Sequence, residues 1–196
     1  MSASADILDC ASNPIELFLQ PGEVYFGERC TRIRTLLGSC VAISIWNASR
    51  CIGGLCHFML PSRSHHGHRG HGPGDVLDGR YGDEAMLMFL RNIRAAGARP
   101  EEFEAKLFGG GRMFEASHGP NRHDVLDVST KNVQMARTLV RRHGLKLKAE
   151  HLGGSGHRNL VFEVWSGHAY LKFWGQDAEQ NQAMLQVTAR SGKKES

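Results

Sequence analysis

Hydrophobic and polar positions alternate in short blocks along most of this chain. Ile15 to Leu19 and Glu23 to Phe26 read as strands split by the Pro21-Gly22 turn. Thr31 to Leu37 leads into Gly38-Ser39-Cys40 and then into the β-branched run Val41 to Trp46. The polar stretch Asn47 to Arg50 separates that run from a second apolar one, Cys51 to Leu60, which Pro61 closes. This is the pattern of a β-hairpin. After a glycine- and histidine-rich loop the period changes. Met86, Phe89, Leu90 and Ile93 recur at helical spacing between Asp83, able to cap, and Gly97, able to stop, so Asp83 to Ala96 is predicted as an amphipathic helix. Ser129 to His143, with Val133, Ala136 and Val140 on one side and Gly144 as its stop, is a second. Lys106 to Phe108, entering the Gly109-Gly110-Gly111 turn, and then Leu145 to Ala149, Asn159 to Trp165 and Ala169 to Trp174 read as further strands. Two helices among mostly antiparallel strands predict an α+β layered architecture.

Composition narrows the class. The 196 residues suit a single core, expected over 14–176, with polar, loosely held ends at 1–13 and 177–196. With 41% hydrophobic and 22% charged residues, disordered and collagen-like chains are excluded. No stretch approaches the roughly 18 apolar residues of a membrane span, and the N-terminus lacks the basic start and apolar run of a signal peptide, so a cytoplasmic protein without membrane insertion is expected. The net charge of +4 is spread among mixed signs, and the densest basic segment, Lys131 to Lys148, carries helical periodicity. It reads as a solvated face, and no nucleic-acid partner is expected. Five cysteines, an odd number in a chain able to build its own core, argue against structural disulfides and leave thiols available for chemistry.

The hairpin serves as a ruler for those thiols. If Asn47 to Arg50 form the loop, Trp46 pairs with Cys51 and, counting back, Cys40 falls directly opposite His57. Directly opposed side chains have Cβ atoms about 5 Å apart, within reach of a thiol-imidazole hydrogen bond. An imidazole that takes the thiol proton leaves a sulfur able to attack a carbonyl carbon. The small-residue turn before Cys40 makes the backbone N–H groups of Ser39 and Cys40 oxyanion candidates. Cys56 falls opposite Val41 on the other face and reads as a buried apolar thiol.

The same residues carry a resemblance. Thr35-Leu36-Leu37-Gly38-Ser39-Cys40-Val41 and Gly53-Gly54-Leu55-Cys56-His57-Phe58-Met59-Leu60-Pro61 are similar to the signature of the CheD family of chemoreceptor glutamine deamidases. The likeness continues in order through Tyr81, Lys106 to Met113, Asn132, Leu152-Gly153-Gly154, Arg158 and Phe162. It implies a cytoplasmic amidohydrolase, recruited to chemoreceptor arrays, that converts glutamine side chains of methyl-accepting chemotaxis receptors to glutamate. The implied fold is a layered sandwich similar to bacterial toxin deamidase domains, and the implied chemistry needs no cofactor. By position Cys40 matches the family nucleophile and His57 its base. The family threonine that orients the histidine lies six positions before the cysteine, where this chain has Arg34; Thr35, five before, takes the role if the turn is one residue shorter. Receptors are the implied partners, and a chemotaxis phosphatase of the CheC type is left open as another.

Other features weigh less. His65, His66, His68 and His71 suit zinc, nickel or copper by ligand type, but they sit in a glycine-rich loop with no cysteine or carboxylate at a recognised spacing, so no metal is expected there. The glycine clusters at 109–111 and 153–156 match no phosphate-loop spacing and read as turns. Two rival functions remain from the residues alone: a non-catalytic adaptor that docks receptors or a phosphatase, and a thiol or metal sensor.

Overall fold

The computed structural model describes residues 10–63, 76–112, 122–175 and 185–186. Among these residues ten strands form two sheets: β1 (Ile15–Phe18), β2 (Val24–Gly27), β3 (Thr31–Leu37), β4 (Val41–Asn47), β5 (Ile52–Phe58), β6 (Glu104–Gly109), β7 (Lys146–Leu152), β8 (Gly156–Glu163), β9 (Ala169–Gly175) and β10 (Leu185–Gln186). The first sheet runs β1-β3-β8-β9-β10 and the second β2-β5-β4-β6-β7. Two helices, α1 (Gly82–Ala95) and α2 (Arg122–Arg142), pack on the second sheet. The α+β layering expected from the sequence is present. Most pairs are antiparallel, but β1 with β3 and β6 with β7 are parallel, the latter joined through α2.

Alternation assigns the layers. Val41, Ile43 and Ile45 of β4 and Cys56 and Phe58 of β5 face the helices, where they meet Met86, Phe89, Ile93, Ala136 and Leu139. Ala42 of β4 and Leu55 of β5 point the other way, into a core shared with Ile33, Leu37, Leu160, Phe162 and Leu171 of the first sheet. Central β4 therefore reads as a continuous apolar run, because both of its faces are covered. Trp46 Nε1 donates to Val164 O at 2.8 Å, fastening one sheet to the other.

Three expectations are corrected. The β4–β5 loop is Ala48–Cys51, not Asn47–Arg50: Asn47 is still in the ladder, opposite Ile52. It closes the turn from the strand end, its Oδ1 accepting from Ser49 Oγ at 2.8 Å and Arg50 N at 3.1 Å, an Asx turn that composition alone assigns to the loop. Cys10 and Cys30 form a disulfide, with Cα atoms 4.6 Å apart. Parallel pairing of β1 with β3 brings their leading ends together, Ile15 N–H donating to Cys30 O at 2.8 Å, and a count of cysteines carries no information about that. Finally, α2 starts at Arg122 rather than Ser129; Arg122-His123-Asp124 and Asp127 dilute the apolar spacing of its first turns. Among the described residues no helix is long and apolar enough to cross a membrane.

Candidate active site

The chain crosses between the sheets at Gly38-Ser39-Cys40, the turn from β3 to β4. Ile33, Thr35 and Leu37 face inward from β3, while Arg34 and Leu36 face out. His57 faces inward from β5, since its neighbour Cys56 faces the helices. Thr35 and His57 thus meet across the sandwich, and the Thr35 hydroxyl lies 2.8 Å from His57 Nδ1. That hydroxyl also donates to Leu19 O at 2.8 Å. Its single hydrogen serves only one acceptor, so the hydrogen-bond pattern assigns the Nδ1–H tautomer, donating to Thr35 Oγ1. The Nε2 lone pair is then free, and Nε2 is buried with no hydrogen-bond partner.

Cys40 reaches this face by a different register from the expected one. The ladder pairs Ala42, not Cys40, with His57. Moving the loop by one residue shifts the partner by two, which preserves the face: Cys40 shares it with Ala42 and lies diagonal to His57, beside the inter-sheet core. Diagonal neighbours are about 7 Å apart at Cβ, within reach of longer side chains. Cys56 lies opposite Ile43, not Val41, on the helix side as expected.

Burial keeps both groups neutral. It holds the His57 pKa down to about 4, a hydrogen bond with the Leu19 backbone pulling the other way. It also raises Cys40, against the Ser39 hydroxyl and the residue's own amide, which favour the thiolate. The resting pair is a thiol and a neutral imidazole rather than an ion pair. That suits general-base transfer of the thiol proton during attack.

The turn is firmly seated. Gly111 N–H donates to Gly38 O at 2.8 Å and Gly110 N–H to Cys40 O at 2.7 Å. Asn132 Nδ2, from α2, donates to Ser39 O at 3.4 Å. All three carbonyls of the turn are occupied, whereas among the described residues the amides of Ser39 and Cys40 take no part in backbone pairing. This approach needs glycine: at Gly109, φ is 107° and a Cβ would stand 2.2 Å from Cys40 O. Beneath the turn lies Arg158, opposite Leu37 in the β3–β8 ladder. Its guanidinium is buried, donates to His151 Nδ1 at 2.9 Å and to Gly153 O, and packs on Phe173 with 4.7 Å to the ring centroid. Burial lowers its pKa to about 10. The linking roles of Asn132, Arg158 and the Leu19 carbonyl are absent from any local sequence pattern, because each acts across elements far apart in the chain. His65, His66, His68 and His71 lie outside the described residues, and among the described residues no cluster of three or more His, Cys, Asp or Glu side chains is arranged for a metal.

Comparison with known proteins gives this geometry a lineage. The model of the CheD chemotactic sensory transduction family matches residues 59–173, beginning just past His57. A probable chemoreceptor glutamine deamidase CheD of Pseudomonas savastanoi pv. phaseolicola is 49% identical over 169 residues, covering 86% of this chain and 90% of that one. A probable chemoreceptor glutamine deamidase CheD 3 of Dechloromonas aromatica is 47% identical, covering 84% and 91%. The likeness extends to Leptospira interrogans, where a probable chemoreceptor glutamine deamidase CheD 1 is 36% identical over 81% of this chain and 92% of its own. Among solved structures, Bacillus licheniformis hypothetical protein YfiH covers 65% of this chain and 49% of its own at 14% identity, with a TM-score of 0.37. With the family model matching more than half of the residues, and relatives aligned along four-fifths or more of the chain, the protein belongs to the CheD family.

Proposed function

We propose that the protein is a protein-glutamine deamidase acting on chemoreceptors, with Cys40 as nucleophile, His57 as general base and Thr35 as the residue that orients the base. The observation that supports this most is the Thr35–His57 hydrogen bond, which leaves a free Nε2 lone pair on the face that Cys40 shares. Family relatives named as chemoreceptor glutamine deamidases supply the substrate class.

The reaction proceeds in two halves. Cys40 Sγ attacks the glutamine carboxamide carbon while its proton passes to His57 Nε2, and the oxygen takes negative charge facing the Ser39 and Cys40 amides. His57 returns the proton to nitrogen, the C–N bond breaks and ammonia leaves, giving a thioester. Water then attacks the thioester carbon, losing its proton to Nε2. The C–S bond breaks, the sulfur recovers the proton, and the acid product ionises to glutamate. Glutamine and water give glutamate and ammonia, with no cofactor and no change of oxidation state.

The substrate glutamine lies on a receptor, so work at receptor arrays in the cytoplasm is part of this reading, and a CheC-type phosphatase is a candidate regulatory partner. Incubation with the cytoplasmic fragment of a cognate chemoreceptor, following ammonia release and mapping glutamine-to-glutamate conversion by mass spectrometry, tests it. Conversion that disappears in Cys40→Ala is expected. Receptor binding without conversion would replace the enzyme by an adaptor.

A further inference from the structure

The β4–β5 ladder stops one rung short of the nucleophile. Its last pair is Val41 with Phe58. The next would join Cys40 to Met59, but both residues are diverted: Met59 N–H donates to Arg80 O at 2.9 Å, and Cys40 O accepts from Gly110 N–H at 2.7 Å. Asn132 of α2, fully buried, stands where the rung is missing. Its Nδ2 donates to Met59 O at 2.8 Å and to Ser39 O at 3.4 Å. One planar amide thus ties the residue just before Cys40 to the residue two beyond His57. Its other end is unused, since Oδ1 is buried without a partner. A buried amide left half satisfied is less stable than an apolar side chain of similar shape, so packing alone does not explain an asparagine here.

We propose that Asn132 is a positioning residue for the Cys40–His57 pair, supplying from a helix the cross-strand restraint that the sheet no longer provides. It touches no reacting atom. Its effect passes through the separation of the two strand ends that carry thiol and imidazole, so it bears on the chemical step and not on substrate affinity. The inference rests on the deamidase reading for its assay and for the partnership of Cys40 with His57.

Asn132→Asp keeps the shape and exchanges the donor for an acceptor facing two carbonyls. In mildly alkaline buffer kcat for ammonia release should fall about 10- to 100-fold with KM held within about twofold, the loss expected when reacting groups drift by roughly 1 Å. Acidification protonates the buried carboxyl, whose O–H can then donate to Met59 O. Activity relative to wild type should therefore climb as pH falls in Asn132→Asp and stay flat in Asn132→Ala, which a merely structural role would not produce. Wild-type kcat in Asn132→Asp, or equal losses in both variants at every pH, overturns the proposal. Should Asn132→Asp not fold in alkaline buffer, judged by circular dichroism, Asn132→Ser decides: a folded protein with lowered kcat and unchanged KM supports the proposal, and unchanged kcat overturns it. Absence of ammonia release from the wild type would instead count against the deamidase reading, so the two failures are distinct.

Discussion

Cys56 and His57 are neighbours on β5, yet they belong to different environments. Cys56 points at the helices into an apolar core, and burial raises its thiol to about 12. His57 points at the other sheet and meets polar groups there, the Thr35 hydroxyl and the Leu19 backbone. The helix-side face of the second sheet is covered by the helices over Val41, Ile43, Ile45, Cys56 and Phe58, whereas the inter-sheet face ends at the turn where the chain crosses between sheets. That turn holds Cys40, a thiol raised by burial but partly exposed and accompanied by the Ser39 hydroxyl and a backbone amide. Two thiols near the same histidine thus differ in what surrounds them, and the surroundings decide which one can do chemistry.

Exchanging the thiols breaks the comparison most sharply. Cys40→Ala should lower deamidase activity on the order of 10⁴-fold or more, because it removes the sulfur that attacks the carboxamide in the proposed mechanism. Cys56→Ala removes a sulfur from a packed layer, costs about 1–2 kcal/mol of stability by the cavity it leaves, and should leave kcat nearly unchanged. Ammonia release beside denaturant melts separates the two. If Cys56→Ala lost activity while staying folded, the assignment of faces would be wrong.

The next effect concerns the partner of the base. Thr35→Val keeps the shape but removes the hydroxyl between Leu19 O and His57 Nδ1. The imidazole loses its orienting contact without losing a charge, so a drop of about 10- to 100-fold in kcat is expected, smaller than losing a charged orienter produces. Thr35→Ser should restore most of it. Equal kcat in the valine variant and the wild type would remove Thr35 from the site.

Much of this is legible without coordinates. Short alternating or continuous apolar runs bounded by turn residues locate the strands from β1 to β6, helical spacing locates α1, and parity alone places Cys40 and His57 on one face and Cys56 on the other. Parity survives a loop displaced by one residue, because that error moves partners by two. What the chain does not disclose is what depends on distant contacts: the Asx turn at Asn47, the parallel β1–β3 pairing that joins Cys10 to Cys30, and the reach of Asn132 from a helix to two strand ends. Thr35 needs the family resemblance, since nothing in a strand pattern distinguishes an inward threonine that holds a histidine from one that simply packs.

The smallest effect, and the finest test of the two faces, is the response to pH. His57 titrates near its ordinary value of 6.5 when unfolded but is held down to about 4 in the fold, chiefly by burial. Between those values the unfolded chain binds a proton that the native protein excludes, so stability must rise with pH across that window. The contribution is fully present above about 6.5 and is lost as pH falls through about 4; the shift corresponds to about 3 kcal/mol. His57→Gln removes this group, so the difference in stability between wild type and variant, measured by urea unfolding at successive pH values, should shift by that amount across the window and be constant above it. A difference that stays constant down to about pH 4 would mean that His57 is solvated and charged in the native state. The inter-sheet face would then be open to water, and the contrast with the apolar helix side would rest on exposure rather than on a buried, neutral imidazole held by hydrogen bonds.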